Sequence, residues 1–92
     1  MSMVHCDSVT EGLRDSECLA SVRDIRGRKH EIRVERDFLS EIGGRQYLPI
    51  GIVHVDPKSK AVLIEFSHEP ETGVNRIWVT AQQLDHPLEV CA

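Results

Sequence analysis

Five histidines, three cysteines and fifteen carboxylates are the residues of this chain that could do chemistry. Their spacing argues against most of it. Zinc sites draw ligands from close pairs such as Cys-x-x-Cys or His-x-x-x-His, because several side chains must converge on one ion. No such pair occurs here. His68, Glu69 and Glu71 fall in one loop, and His54 shares a strand face with Asp56. Both groups read as solvated side chains. Ser, His and Asp are present, but nothing orders them as a triad, and neither a nucleophile elbow nor a glycine-rich phosphate loop occurs. Gly43-Gly44-Arg45 is too generic for a phosphate site. The sequence therefore assigns no catalytic residue, no metal ligand and no cofactor, and an enzyme is not expected.

The cysteines point to a cellular compartment. Cys6, Cys18 and Cys91 are odd in number and unpaired in spacing, and "MSMVHCDSV" has no apolar stretch suited to export. Free thiols in the cytoplasm are the expectation, with Cys18 a small core residue. No run approaches a membrane span.

Charge narrows the range of partners. A net charge of −4 argues against a general polyanion binder. Residues 21 to 36 nonetheless hold six basic against three acidic side chains. Arg23, Arg26, Arg28 and Lys29 ring a turn there and could meet phosphates, with Arg26, Arg28 and Lys29 the candidates for contact. Arg33 alternates with Glu31 and Glu35, which suits cross-strand ion pairs. No aromatic residue is interleaved with these charges to stack on bases.

The elements that must position these residues are short. Ninety-two residues make one small domain, and only four are Phe, Trp or Tyr, so the core rests on Val, Ile and Leu and favours strands. Residues 1 to 16 are polar and without period, and read as a flexible tail ahead of a single β domain over residues 17 to 90. "CLASVRD" and "KHEIRVER" alternate and read as a hairpin about Gly27. "DFLSEIGG" breaks the alternation. It reads as a short helical turn with Phe38 and Ile42 on one face, or else as an irregular loop. "QYLPIGIVHVD" is a long strand interrupted by Pro49 and Gly51, "AVLIEFS" returns after the turn "DPKSK", "RIWVT" is a short strand, "AQQL" a single helical or 3-10 turn and "PLEV" a last edge segment.

Alternation then sorts residues onto faces. With Pro57 to Lys60 as the loop, Val55 lies opposite Val62, His54 opposite Leu63 and Val53 opposite Ile64. The expected core face is Val53, Val55, Val62, Ile64 and Phe66, extended by Ile77 and Val79. The opposite face holds Ile52, His54 and Leu63, with Trp78 beside them. Something must cover that outward apolar cluster, either a partner or the protein's own chain.

The order of a strand, a long loop with a short turn, three short strands and a terminal "AQQL" turn resembles the SH3-like small barrels over residues 18 to 90. The core "YLPIGIVHVD…VLIEF…NRIWV" is also similar to that of small bacterial proteins. The ALYDY-type signature of peptide-binding SH3 domains and the KOW pattern of ribosome-associated barrels are both absent. The resemblance implies a small all-β barrel, or a strongly bent antiparallel sheet, of five to six strands with one short helical turn. Barrels of this layout bind peptides, RNA and proteins.

Three functions follow in order. The first is a non-enzymatic interaction module that binds a protein partner or itself through Trp78, Leu63, Ile52 and His54. The second is a nucleic-acid-associated barrel that uses Arg26, Arg28 and Lys29. The third is a metal-dependent or metal-sensing protein, although no bound metal is expected.

Overall fold

The computed structural model describes residues 2–85. Alternating apolar residues build the first hairpin as expected. In β3 (Glu17–Arg23), Cys18, Ala20 and Val22 are fully buried, and in β4 (Lys29–Glu35) the buried residues are His30, Ile32 and Val34. The two strands pair antiparallel, with Cys18 opposite Val34 and Val22 opposite His30.

The segment expected to be a flexible tail is instead structured. It forms β1 (Ser2–His5) and β2 (Ser8–Glu11), and Val4 is fully buried. β2 pairs with the free edge of β3, and β1 with β6 (Arg45–Val55). Only Val4 and Cys6 of this stretch reach the core, too few to show a period in sequence. The tight turn into β3 depends on Gly12, where a Cβ would lie 2.9 Å from the Glu17 carbonyl oxygen.

The "DFLSEIGG" segment divides. A 3-10 turn spans Arg36–Phe38, and β5 (Ser40–Ile42) hairpins onto β6 through Gly43-Gly44. Both glycines have positive φ (58° and 80°), the conformation that a two-residue hairpin turn of right-handed twist requires. Phe38 packs against the core, but Ile42 is 46% exposed, so the two do not share a buried face.

β7 (Val62–Phe66) and β8 (Arg76–Val79) complete a sheet ordered β1-β6-β7-β8, with β5 also on β6. β2, β3 and β4 form a second, three-stranded antiparallel sheet. The protein is therefore all-β, with eight strands among the described residues arranged as two antiparallel sheets and not as a closed barrel. Buried residues of both sheets form a single core cluster. A 3-10 turn at Ala81–Gln83 follows β8, and Leu84 then bridges to Val4 of β1. The edge segment expected at residues 87–90 and Cys91 lie outside the described residues.

Pro49 sits inside the longest strand without a lost hydrogen bond. Opposite it, Met3 directs its backbone N–H and C=O away from β6, to Asp85. The Pro49 nitrogen therefore faces the other edge of β6, between the end of β5 pairing at Tyr47 and the start of β7 pairing at Ile50.

The expected register of β6 against β7 holds at one end only. Val55 faces Val62 and His54 faces Leu63, but a bulge follows, after which Ile52 faces Ile64 and Ile50 faces Phe66. The extra residue is Val53, which is 40% exposed instead of buried, while Ile50 takes the core position. Ile52 turns from the outward face to pack against the core. Val62, Ile64, Phe66, Ile77 and Val79 are buried as expected.

Candidate functional site

β4 carries one polar side chain at a core-facing position. His30 is 1% exposed, and both its ring nitrogens are engaged: Nε2 lies 2.9 Å from Asp24 Oδ2, and Nδ1 lies 2.9 Å from Thr72 Oγ1. A carboxylate only accepts, so Nε2 carries a proton, and the Thr72 hydroxyl can serve Nδ1 in either charge state. The other Asp24 oxygen accepts the backbone N–H groups of Arg26 and Arg28, each at 2.9 Å. Burial raises the pKa of Asp24, but the hydrogen bonds from His30 and from the Arg28 and Arg26 amides lower it more, and the net shift is downward. One histidine thus ties β4, the β3–β4 turn and the β7–β8 loop together.

These ties shape a cleft of about 210 Å³ between that turn and β8. Trp78, Ile25 and Val74 line it, with Arg26, Arg28 and Arg76 around them and His30 and Asp24 beneath. Two backbone hydrogen bonds stitch the sheets together here, Ile25 N–H to Trp78 O at 2.7 Å and Glu71 N–H to Glu31 O at 2.8 Å. Six large hydrophobic side chains are exposed among the described residues, and three of them, Ile25, Val74 and Trp78, meet in this cleft. Such clustering of exposed apolar surface is the feature that marks contact sites.

The arginines divide in an informative way. Within the hairpin region, Arg23 pairs with Asp7, Arg33 with Glu17 and Glu71, and the Arg36 guanidinium donates to the Asp15 carbonyl. On β8, Arg76 pairs with Glu65. Among the described residues no carboxylate lies within ion-pair distance of the Arg26 or Arg28 guanidinium or of the Lys29 ammonium, although Asp24 accepts the backbone N–H groups of both arginines. Arg26 and Arg28 line the cleft and Lys29 does not.

Trp78 lies outside the core, as expected, opposite Leu63 and 36% exposed. The His54 ring meets it edge to face, with centroids 6.2 Å apart. Leu63 and His54 therefore stay on the outward face, whereas Ile52 leaves it. The structure also joins what the sequence kept apart, since Trp78 and the basic turn share one cleft. Sequence reading missed His30, Ile25, Val74 and Arg76. Only His30 carried a signal, as a histidine in phase with Ile32 and Val34 on an otherwise apolar strand face.

Two further histidines make ring contacts. His5 packs edge-on to Tyr47, and His68 to Phe38. No group of three or more His, Cys, Asp or Glu side chains placed to hold a metal occurs among the described residues. Cys6 and Cys18 are buried free thiols. Burial and the neighbouring Cys18 push the Cys6 pKa up to about 12, and burial raises that of Cys18, so both are poor nucleophiles. No helix among the described residues is long and apolar enough to cross a membrane. No protein-family model, no curated protein and no solved structure matches the chain.

Proposed function

We propose that this protein is a non-enzymatic interaction module that docks a protein partner in the Trp78 cleft. One observation carries the reading: exposed Ile25, Val74 and Trp78 converge with two arginines whose guanidinium groups have no carboxylate partner among the described residues. Tryptophan and arginine are the side chains most often found at energetic centres of protein interfaces, because each joins a large contact area to directional donors. The size of the cleft supports a side chain over a free small molecule. Small-molecule pockets run to about 300–1,000 Å³, and this one is about 210 Å³. The free thiols of Cys6 and Cys18 support a cytoplasmic setting.

The test is affinity capture from the native cell with the wild-type chain beside Trp78→Ala and the double variant Arg26→Gln/Arg28→Gln. A partner retained by wild type and lost from both variants, each with an unchanged melting temperature, is the expected result. Capture that is indifferent to both changes overturns the reading. Sedimentation of the isolated chain with and without Trp78→Ala decides whether the partner is a second copy.

A second reading rests on Arg26, Arg28 and Lys29, the cations of the turn without an ion-pair partner among the described residues. If they meet phosphates of a nucleic acid, affinity for single-stranded oligonucleotides falls by roughly 0.7 log units per log unit of salt for each contact. Replacing the three by Gln would then abolish both the binding and its salt slope.

A further inference from the structure

The backbone of β8 presents an open edge inside the cleft. β8 is the last strand of its sheet, and its pairs with β7 alternate between hydrogen-bonded and non-bonded types. Phe66 N–H donates to Asn75 O. Residues 75, 77 and 79 therefore bond to β7, while Arg76 and Trp78 direct their N–H and C=O groups away from it. The Trp78 carbonyl accepts from Ile25, in agreement with that phase. The N–H and C=O of Arg76 and the N–H of Trp78 make no backbone hydrogen bond among the described residues, and both residues are exposed.

An exposed strand edge is a template for an added strand. Most edges are blunted by charge or covered by chain. Here the Ile25 hydrogen bond covers one end, and the run from Val74 to the Trp78 N–H stays open between that bond and the Glu71–Glu31 bond. The strand itself is only four residues long, Arg76–Val79, too short to recruit a partner by backbone bonds alone. The side chains around it supply the rest. Ile25, Val74 and Trp78 offer a socket for one apolar side chain, and Arg26 and Arg28 offer beside it two positive charges with no ion-pair partner among the described residues. In an extended segment alternate side chains point the same way, so a residue seated in the socket has neighbours two positions away within reach of the arginines.

Resting on the proposed docking function, we infer that the partner binds as an extended acidic segment of a protein. It adds a short strand to the Val74–Trp78 edge, seats one apolar side chain against Trp78, and sets carboxylates on Arg26 and Arg28. Complementary charge selects it, since a basic segment would meet these arginines with repulsion.

The test uses the full chain, isotope-labelled, and a capped heptapeptide in which Glu alternates with Val around a central Phe. On titration to millimolar peptide, the amide signals of residues 24–28 and 74–78 are expected to shift and saturate. Two perturbations probe the backbone. A peptide N-methylated at the central residues should bind at least tenfold more weakly. Arg76→Pro removes only an N–H that faces away from β7, a change edge strands tolerate, and it should bind at least tenfold more weakly than Arg76→Gln. The double variant Arg26→Gln/Arg28→Gln should lose about three- to tenfold, the range for two rim ion pairs. Saturating shifts that ignore N-methylation overturn the added strand and leave the docking cleft standing. Absence of any shift around Trp78, or displacement of the shifts to another face, overturns the acidic segment altogether. So does an oligothymidylate that shifts the cleft signals where the peptide does not, which would assign the site to nucleic acid.

Discussion

Replacing Asp24 tests the small hydrogen-bond network on which the cleft is built. Its carboxylate accepts three hydrogen bonds at 2.9 Å, two from exposed turn amides and one from the buried His30 ring. In Asp24→Ala the two amides return to water, at about 0.5 kcal/mol each. His30 Nε2 has no such recourse at 1% exposure, and a buried polar group without a partner costs about 1–3 kcal/mol. The sum is about 2–4 kcal/mol, a large part of the roughly 5–15 kcal/mol that holds a small domain folded. At roughly 4–8 °C per kcal/mol for a domain this size, the melting temperature should fall by more than about 8 °C, read by circular dichroism at pH 7. Asp24→Asn keeps an oxygen for the two amides, and its amide nitrogen can donate to His30 once the ring proton moves to Nδ1 and faces Thr72 Oγ1. It should cost less than the Ala variant. An Asp24→Ala protein that melts with wild type would refute the network as a structural element.

The same carboxylate has a pH signature. Its folded pKa lies below the ordinary value, so its contribution is present above the unfolded pKa of about 3.9 and is lost as pH falls through the folded value. The stability gap between wild type and Asp24→Asn should therefore be widest above about pH 4 and narrow on further acidification. A gap that widens toward acid would mean that the sign is wrong.

Other outcomes follow from burial and register. Ile64→Ala empties a fully buried site and should cost about 2–5 kcal/mol in denaturant unfolding. The bulge predicts that Val53→Ala costs under about 1 kcal/mol and Ile50→Ala more than about 2, the reverse of an unbroken register. Ser21 Oγ is buried without a hydrogen-bond partner among the described residues, so Ser21→Ala should leave the melting temperature unchanged or raise it. Trp78 fluorescence should be quenched by acrylamide in the free chain and protected when a partner is bound, and Trp78→Ala should move the melting temperature by no more than a few degrees.

Much of the fold was legible because alternation over five or more residues leaves little freedom. β3, β4 and β7 bury the residues that period two assigns to the core, and the outward placement of Trp78 followed from Ile77 and Val79 flanking it. What failed, failed locally. A bulge adds one residue and flips every side chain beyond it. Nothing in "PIGIVHV" marks Val53 as the extra residue, since Ile52, Val53 and Val55 are interchangeable as strand formers. β1 and β2 were missed for a different reason. Strands of four residues with one buried position in β1 and none in β2 show no period, and their stability comes from the partner edges they cover, which only the tertiary structure supplies.

The cleft was half legible for the same physical reason. Each of its walls could be read alone, Trp78 from the phase of one sheet and the arginines from the turn of the other. Their meeting depends on the way the two sheets are joined, through Asp24, His30 and Thr72 and through the backbone bonds of Ile25 and Glu71. A histidine in a core position is costly unless both ring nitrogens are satisfied. Here both are, each by a residue from a different loop. That makes His30 one of the ties that hold tryptophan and arginines together, beside the Ile25–Trp78 backbone bond. A buried histidine at the seam of two sheets, where three of the six exposed large apolar side chains among the described residues gather, couples the stability of the fold to the geometry of the proposed docking surface. Variants that loosen His30 should for that reason weaken binding at Trp78 before they unfold the chain.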